Sequence, residues 1–272
     1  MKQHSLGIHK LIKPDGSWSE GVELDQFLVS HFCNLYKDRP ISNSAVDSIL
    51  SHSPHSISPA QNASLTRPTD ALELFGVLSA MADSSAPGPD GFTVKFFKQC
   101  WLLLAQDLVD ACNDFLSGTA IPKALGAAWL FLIPKSPAAS SPNDFRPIAL
   151  CNVGSKLFTK LLFSRLAPLL PGLISAEQSA FVKGRNITDN LLLVQEMLTR
   201  INRRHKDRNL LLKIDFKSAF DSVNWDFLRA VLRARGFNDH LCTLISNVLN
   251  STWLSVLVNG SPKGFFQPSL WR

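Results

Sequence analysis

LLLKIDFKSAFDSVNW, residues 210–225, is the stretch around which the rest of the chain is read. Leu210, Leu211, Leu212 and Ile214 are strand-formers, and the apolar run stops at Lys217 and Ser218, where a turn leads into a helical pattern. The pattern predicts a strand that carries the carboxylate of Asp215 to its end, where it can face a cleft.

Outward from this stretch, helices and short strands alternate. Val223, Phe227, Val231 and Ala234 mark a helix closed by Gly236, and Leu241, Leu244, Ile245 and Val248 mark another. A strand follows from Trp253 to Val258, with a turn at Asn259-Gly260. On the N-terminal side, Ile187, Leu191, Val194, Leu198 and Ile201 form a helical stripe running into the basic cluster RRHKDR, residues 203–208. A helix from about Gly154 to Leu170 carries Lys156, Lys160 and Arg165 beside Leu157, Leu161 and Leu162. That charged stripe reads first as a solvated face, with a track along nucleic-acid phosphates as the alternative.

Further back, Ala127–Ile133 and residues 145–153 read as short apolar strands, and a helix is expected from Val94 to Leu116. Two prolines and two glycines in APGPDG, residues 86–91, enforce a turn: either a rigid corner or a cradle of free amides for an anion. Asp70 and Glu73 have capping-box spacing before the stripe Leu74, Leu78, Met81. The chain opens with a hairpin around Pro14-Asp15-Gly16, then a helix with Leu24, Phe27, Leu28, His31, Phe32 and Leu35 on one face. Residues 42–68, rich in Ser, Pro, Asn and His, read as a linker that sets the main boundary.

With 272 residues and 45% hydrophobic content, the chain can bury a sizeable core. Residues 1–150 hold 11 Lys and Arg against 14 Asp and Glu, net −3, whereas 151–272 hold 17 against 8, net +9. A basic half around Asp215 suits a polyanionic ligand. Five widely spaced cysteines without a CxxC pair argue for reduced thiols, against a disulfide framework or a zinc site. There is no apolar signal core and no run of the roughly 18 apolar residues that a membrane span requires, so a soluble intracellular protein is expected, with no membrane partner.

Six strings, in order, carry a family resemblance: APGPDGF (86–92), FFKQCW (96–101), LIPK (132–135), FRPIAL (145–150), QSAFVKGR (178–185) and KIDFKSAFDSVNW (213–225). With them the chain resembles the reverse transcriptase of non-LTR (LINE-type) retrotransposons, most closely the plant kind. The resemblance implies an α/β (α+β), helix-rich right-hand polymerase: fingers and an incomplete palm with an N-terminal hairpin-helix extension. Its divisions would be 1–41, the extension that follows an absent endonuclease; 42–68, a linker; 69–209, fingers; and 210–272, partial palm.

The family is an RNA-directed DNA polymerase, a nucleotidyltransferase that uses two Mg²⁺ ions. RNA template, DNA primer and dNTP are the implied partners, with no small-molecule cofactor, and nuclear residence follows only from the family's habit of priming at chromosomal DNA. Asp215 matches the first metal-binding aspartate, and Phe216 would offer its backbone carbonyl to the same metal. Phe220 matches the ring that excludes a 2′-hydroxyl, with Ala219 leaving room beside it, while Asp221 reads as a helix cap. Lys135 and Arg146 match the residues that grip the incoming triphosphate. Gln178, Phe181, Gly184 and Arg185 match the segment against template and nucleotide, Arg185 meeting phosphate or a nearby acid.

Two departures bear on activity. Ser85 stands where related sequences often carry lysine, and after Gln267 the chain runs PSLWR with no two adjacent aspartates anywhere. The expectation is therefore a C-terminally truncated polymerase fragment, inactive alone. The alternative is a non-catalytic module that holds nucleic acid with its basic half.

Overall fold

Pro14, Asp15 and Gly16 turn the chain back on itself. Gly16 sits at φ 85°, and the Asp15 carboxylate accepts the Ser17 amide at 2.9 Å. This computed structural model describes residues 7–37, 41–51, 57–201, 210–216 and 223–269. The expected hairpin is present as β1 (Lys10–Ile12) paired antiparallel with β2 (Trp18–Glu20). Helix α1 (Gly21–Leu35) follows at once and buries Leu24, Leu28 and Phe32, spaced four apart on one face.

Residues 42–68, expected as a loop, instead carry α2 (Asn43–Leu50) and α3 (Pro59–Thr66). The Ser/Pro/Asn composition concealed a capping box: the Ser58 hydroxyl accepts the Gln61 amide, the Gln61 side chain accepts the Ser58 amide, and Pro59 opens the helix. Asn62 then docks α3 on a distant turn, donating to the Gly236 carbonyl at 2.8 Å and accepting the Asn238 amide at 2.9 Å.

Helix α4 (Ala71–Ser79) starts where Asp70 accepts the Glu73 amide. The single helix expected over 94–116 is two, α5 (Val94–Gln99) and α6 (Trp101–Leu116), with Cys100 between them at φ −91°, ψ 11°. Strands β3 (Ala127–Pro134) and β4 (Phe145–Cys151) lead into α7 (Val153–Leu166), α8 (Leu170–Leu173) and α9 (Ile187–Arg200). Helices α10 (Trp225–Ala234) and α11 (Asp239–Ser251) precede β5 (Trp253–Val258) and β6 (Ser261–Phe266). Asn259 at φ 48° and Gly260 at φ 82° make the tight turn between the last two strands.

The four longer strands form one sheet in the order β4-β3-β5-β6, with β3 and β5 parallel and the outer pairings antiparallel. Gly126 makes the parallel pair possible, because a Cβ there would stand 1.9 Å from the Ser251 carbonyl oxygen. One face of the sheet (Leu130, Leu132, Leu254, Val256) shares a core with Leu11 of the hairpin and Leu28 and Phe32 of α1. A second core, built by helices, brings together Leu65, Leu74, Leu78, Phe115, Leu157, Leu161 and Leu244. All five cysteines are free thiols, with Cys112 and Cys242 buried. Among the described residues no helix is long and apolar enough to cross a membrane.

The strand expected over residues 210–214 is not formed. Residues 210–216 have no regular structure, and Leu210 is 87% exposed. A strand exists only through a partner that takes its amides and carbonyls. Both sides of β3 and of β5 are already taken, and this segment joins neither outer strand among the described residues. Apolar content alone cannot supply the missing ladder.

Candidate active site

Strand alternation places the site's cations. Within β4, Phe145 and Pro147 are buried and Arg146 between them is exposed, as is Ile148 two residues on. The β3–β4 register sets Ile133 opposite Arg146 and Pro134 opposite Phe145. Lys135 therefore leaves β3 at the end of the hairpin where Arg146 enters β4. A short 3-10 turn, Pro142–Asp144, closes the connection: the Lys135 amide donates to the Asp144 carbonyl at 2.7 Å and its ammonium to the Asn143 carbonyl at 2.6 Å. The Asp144 carboxylate accepts the Ser140 and Ser141 amides and the Ser141 hydroxyl, which hold it below the usual carboxylate range. A cavity of about 770 Å³ opens beside Lys135, lined also by His9, Lys10, Ser136 and Phe145.

The loop after α8 is organised by one side chain. The Arg185 guanidinium donates to the carbonyls of Pro171 at 3.0 Å, Ile174 at 2.9 Å and Gln178 at 2.7 Å, and also to that of Ser175. Its hydrogen bonds thus go to carbonyls of α8 and of the loop after it, while the Glu177 carboxyl is held below the ordinary range by its own backbone, the Ser175 hydroxyl and, after these, the Arg185 charge. Phe181 stands on this loop 84% exposed at φ 62°, a left-handed conformation uncommon for an aromatic residue, and Gly184 follows at φ 84°. The Gln178 side chain donates to the Ala180 carbonyl at 3.1 Å.

Asp215 and Phe216 are exposed in the irregular segment 210–216. Ala219, Phe220 and Asp221 lie outside the described residues. Asp215 offers oxygen donors suited to Mg²⁺. Among the described residues no group of three or more His, Cys, Asp or Glu side chains comes together. Among the described residues, the Asp215 carboxylate and the Phe216 carbonyl are too few donors to clamp a pair of ions.

The charged stripe of α7 divides. Arg165, whose side chain is only 6% exposed, forks onto Glu73, Nε to Oε1 at 2.9 Å and Nη2 to Oε2 at 2.8 Å, and also donates to the Leu65 and Arg67 carbonyls. The template-tracking alternative therefore fails for Arg165, because its donors are committed inside the fold. Lys156 and Lys160 remain at the surface, Lys156 reaching the Ala86 carbonyl at 3.4 Å.

Asn152, buried to 2% exposure, is the residue that sequence reasoning missed. Its carbonyl oxygen accepts the Asp90 amide at 3.1 Å, and its amide donates to the carbonyls of Ala124 and Leu125. Next to it the turn is closed: the Gly91 amide donates to the Gly88 carbonyl, and the Phe92 amide to the Asp90 carboxylate at 3.0 Å. The anion-cradle reading of APGPDGF thus loses its donors at 90, 91 and 92, and the rigid corner is what the fold contains. An asparagine before a helix reads as a cap, and nothing local announces contacts to residues 28 and 62 positions away.

Residues 133–269 match the family model described as reverse transcriptase (RNA-dependent DNA polymerase). The chain is 28% identical over 232 residues to the Transposon TX1 uncharacterized 149 kDa protein of Xenopus laevis, covering 85% of this chain and 18% of that one. It is 28% identical over 170 residues to the retrovirus-related Pol polyprotein from the type-2 retrotransposable element R2DM of Drosophila melanogaster, covering 60% and 15%. A third relative, the Pol polyprotein from the type-1 element R1 of Bradysia coprophila, is 26% identical over 143 residues, covering 52% and 14%. The chain thus spans less than a fifth of the length of these relatives.

Proposed function

Because the chain belongs to the reverse transcriptase (RNA-dependent DNA polymerase) family, we propose that it is a fingers-and-partial-palm piece of a non-LTR retrotransposon polymerase. The observation that carries this reading is the β3–β4 hairpin, in which Lys135 and Arg146 come together at one end although the sequence separates them by the loop 136–144. A lysine supplies a compact point charge and an arginine a two-pronged donor, a pair suited to the oxygens of a dNTP triphosphate. On the same reading Gln178, Phe181 and Gly184 lie against the RNA template, with Arg185 holding their loop. Asp215 and the Phe216 carbonyl contribute to one Mg²⁺ site. Ala219 and Phe220 check the sugar of the nucleotide.

The piece grips nucleotide and template, and its described residues do not by themselves complete the metal site. A fluorescent dNTP in Mg²⁺ tests the grip: affinity falls about tenfold in Arg146→Ala and Lys135→Ala, a loss in the range expected for one charge-assisted contact. Unchanged affinity in both variants overturns the assignment of the hairpin. Primer extension on an RNA template tests the second point, and any incorporation abolished by Asp215→Ala shows a complete site.

A further inference from the structure

We propose that Phe92 and Phe96 form a stacking step for single-stranded nucleic acid on the outer surface of the 86–97 segment. Three observations carry it. The two rings lie 4.6 Å apart at 30°, and Phe92 is 47% exposed, so an aromatic pair faces solvent where core packing would have covered it. The pair is presented rigidly, because Asn152 and the closed amides of residues 90–92 hold the turn beneath Phe92. Lysines share this part of the fold: Lys95 is exposed between the two rings in sequence, Lys156 donates to the Ala86 carbonyl at the root of the turn, and Lys160, one helical turn farther along α7, is exposed with its ammonium 5.7 Å from the Phe163 ring. Lys98 does not count, since its ammonium is committed to the Ser79 and Met81 carbonyls and to Asp83. Asp90 is the acid closest in sequence, and its carboxylate accepts the Phe92 amide.

Exposed rings flanked by lysines match the chemistry of a single strand: bases stack on π-faces irrespective of sequence, and phosphates meet the ammonium groups. An apolar protein partner would use the rings but would leave the exposed Lys95 unanswered. The inference rests on the reading of the chain as one that handles nucleic acid.

The test uses the full chain, a labelled single-stranded RNA and fluorescence anisotropy, with circular dichroism melts to verify folding. The double variant Phe92→Ala, Phe96→Ala binds about tenfold more weakly, and so does Phe92→Leu, Phe96→Leu, which keeps apolar bulk without a π-face. Phe92→Tyr, Phe96→Tyr keeps near-native affinity. Neutralising Lys156 and Lys160 to Gln flattens the dependence of log affinity on log salt by about 0.7 per lysine. Native-like binding by the leucine pair overturns the stacking step in favour of a polypeptide-facing patch. Unchanged binding in every variant overturns the step alone, whereas a wild-type chain that binds no RNA overturns it together with the reading beneath it.

Discussion

Arg165 of α7 and Glu73 of α4, 92 residues apart, meet as a two-pronged ion pair at 2.9 and 2.8 Å, the guanidinium side chain almost wholly covered. The pair ties two helices of the larger core to the backbone carbonyls at Leu65 and Arg67. Removing Glu73 leaves a covered guanidinium without its carboxylate, and removing Arg165 leaves Glu73 with only Arg67 and Thr69. Arg165→Met is expected to lower unfolding stability by roughly 3 kcal/mol, the low end for a broken buried pair. Urea denaturation measures it, and a loss below the error of the extrapolation contradicts the buried role.

The same pair sets a pH dependence. The Arg165 hydrogen bonds, the Thr69 hydroxyl and the Arg165 and Arg67 charges hold the Glu73 carboxyl below its ordinary 4.5. A depressed folded value means that the unfolded chain binds the proton first as pH falls. The stabilisation is complete above pH 4.5 and is lost as pH drops through the lower folded value. Thermal melts from pH 7 to pH 3 should show a steeper fall in Tm for the wild type than for Glu73→Gln. Parallel curves exclude the coupling.

Asn152 joins three segments, so truncating it leaves the Asp90 amide and the carbonyls of Ala124 and Leu125 unanswered. Each stranded buried group costs about 1–3 kcal/mol. Asn152→Ala is expected to lose at least about 2 kcal/mol, and Asn152→Asp to fare no better, since a carboxylate cannot donate to two carbonyls. Gly88→Ala should also destabilise, because its Cβ would stand 2.3 Å from the Asn152 backbone nitrogen. Denaturation midpoints of the three variants check the set.

Arg185 addresses four carbonyls with a planar fork, a geometry lysine cannot reproduce. Arg185→Lys should raise hydrogen-exchange rates through residues 174–186 while α7 keeps its protection. Unaltered protection in the loop shows that other contacts hold it.

Burial pushes the Cys112 thiol up to about 12, with nearby Arg165 opposing only in part. The thiolate is the reactive form, so Cys112 should resist alkylation at pH 8 until the protein unfolds. Mass spectrometry of iodoacetamide-treated samples reads this directly. Rapid native labelling of Cys112 contradicts its burial.

Much of the fold was legible from periodicity. The α1 stripe, the Asp70 cap, the turn at Asn259-Gly260 and the strand Trp253–Val258 stand where spacing and turn chemistry put them. The LIPK and FRPIAL segments pair, which sets Lys135 and Arg146 at the same end of the β3–β4 hairpin. Helix α3 was hidden by composition although its Ser58–Gln61 box is a local signal, and β6 was unseen because SPKGFF lacks alternation. The buried role of Arg165 was illegible: a basic residue on a helix looks the same in sequence whether it faces water or a glutamate from another helix.

The sequence by itself determined the family, the faces of the amphipathic helices and the tight turns, because each depends on residues within a few positions of one another. Tertiary structure alone decided which polar groups are committed inside the fold and which stretches gain a ladder. Arg165, Asn152 and Arg185 each take their role from groups brought near by folding, and residues 210–216 remain without a strand because a hydrogen-bonded ladder is a property of two chain segments, never of one.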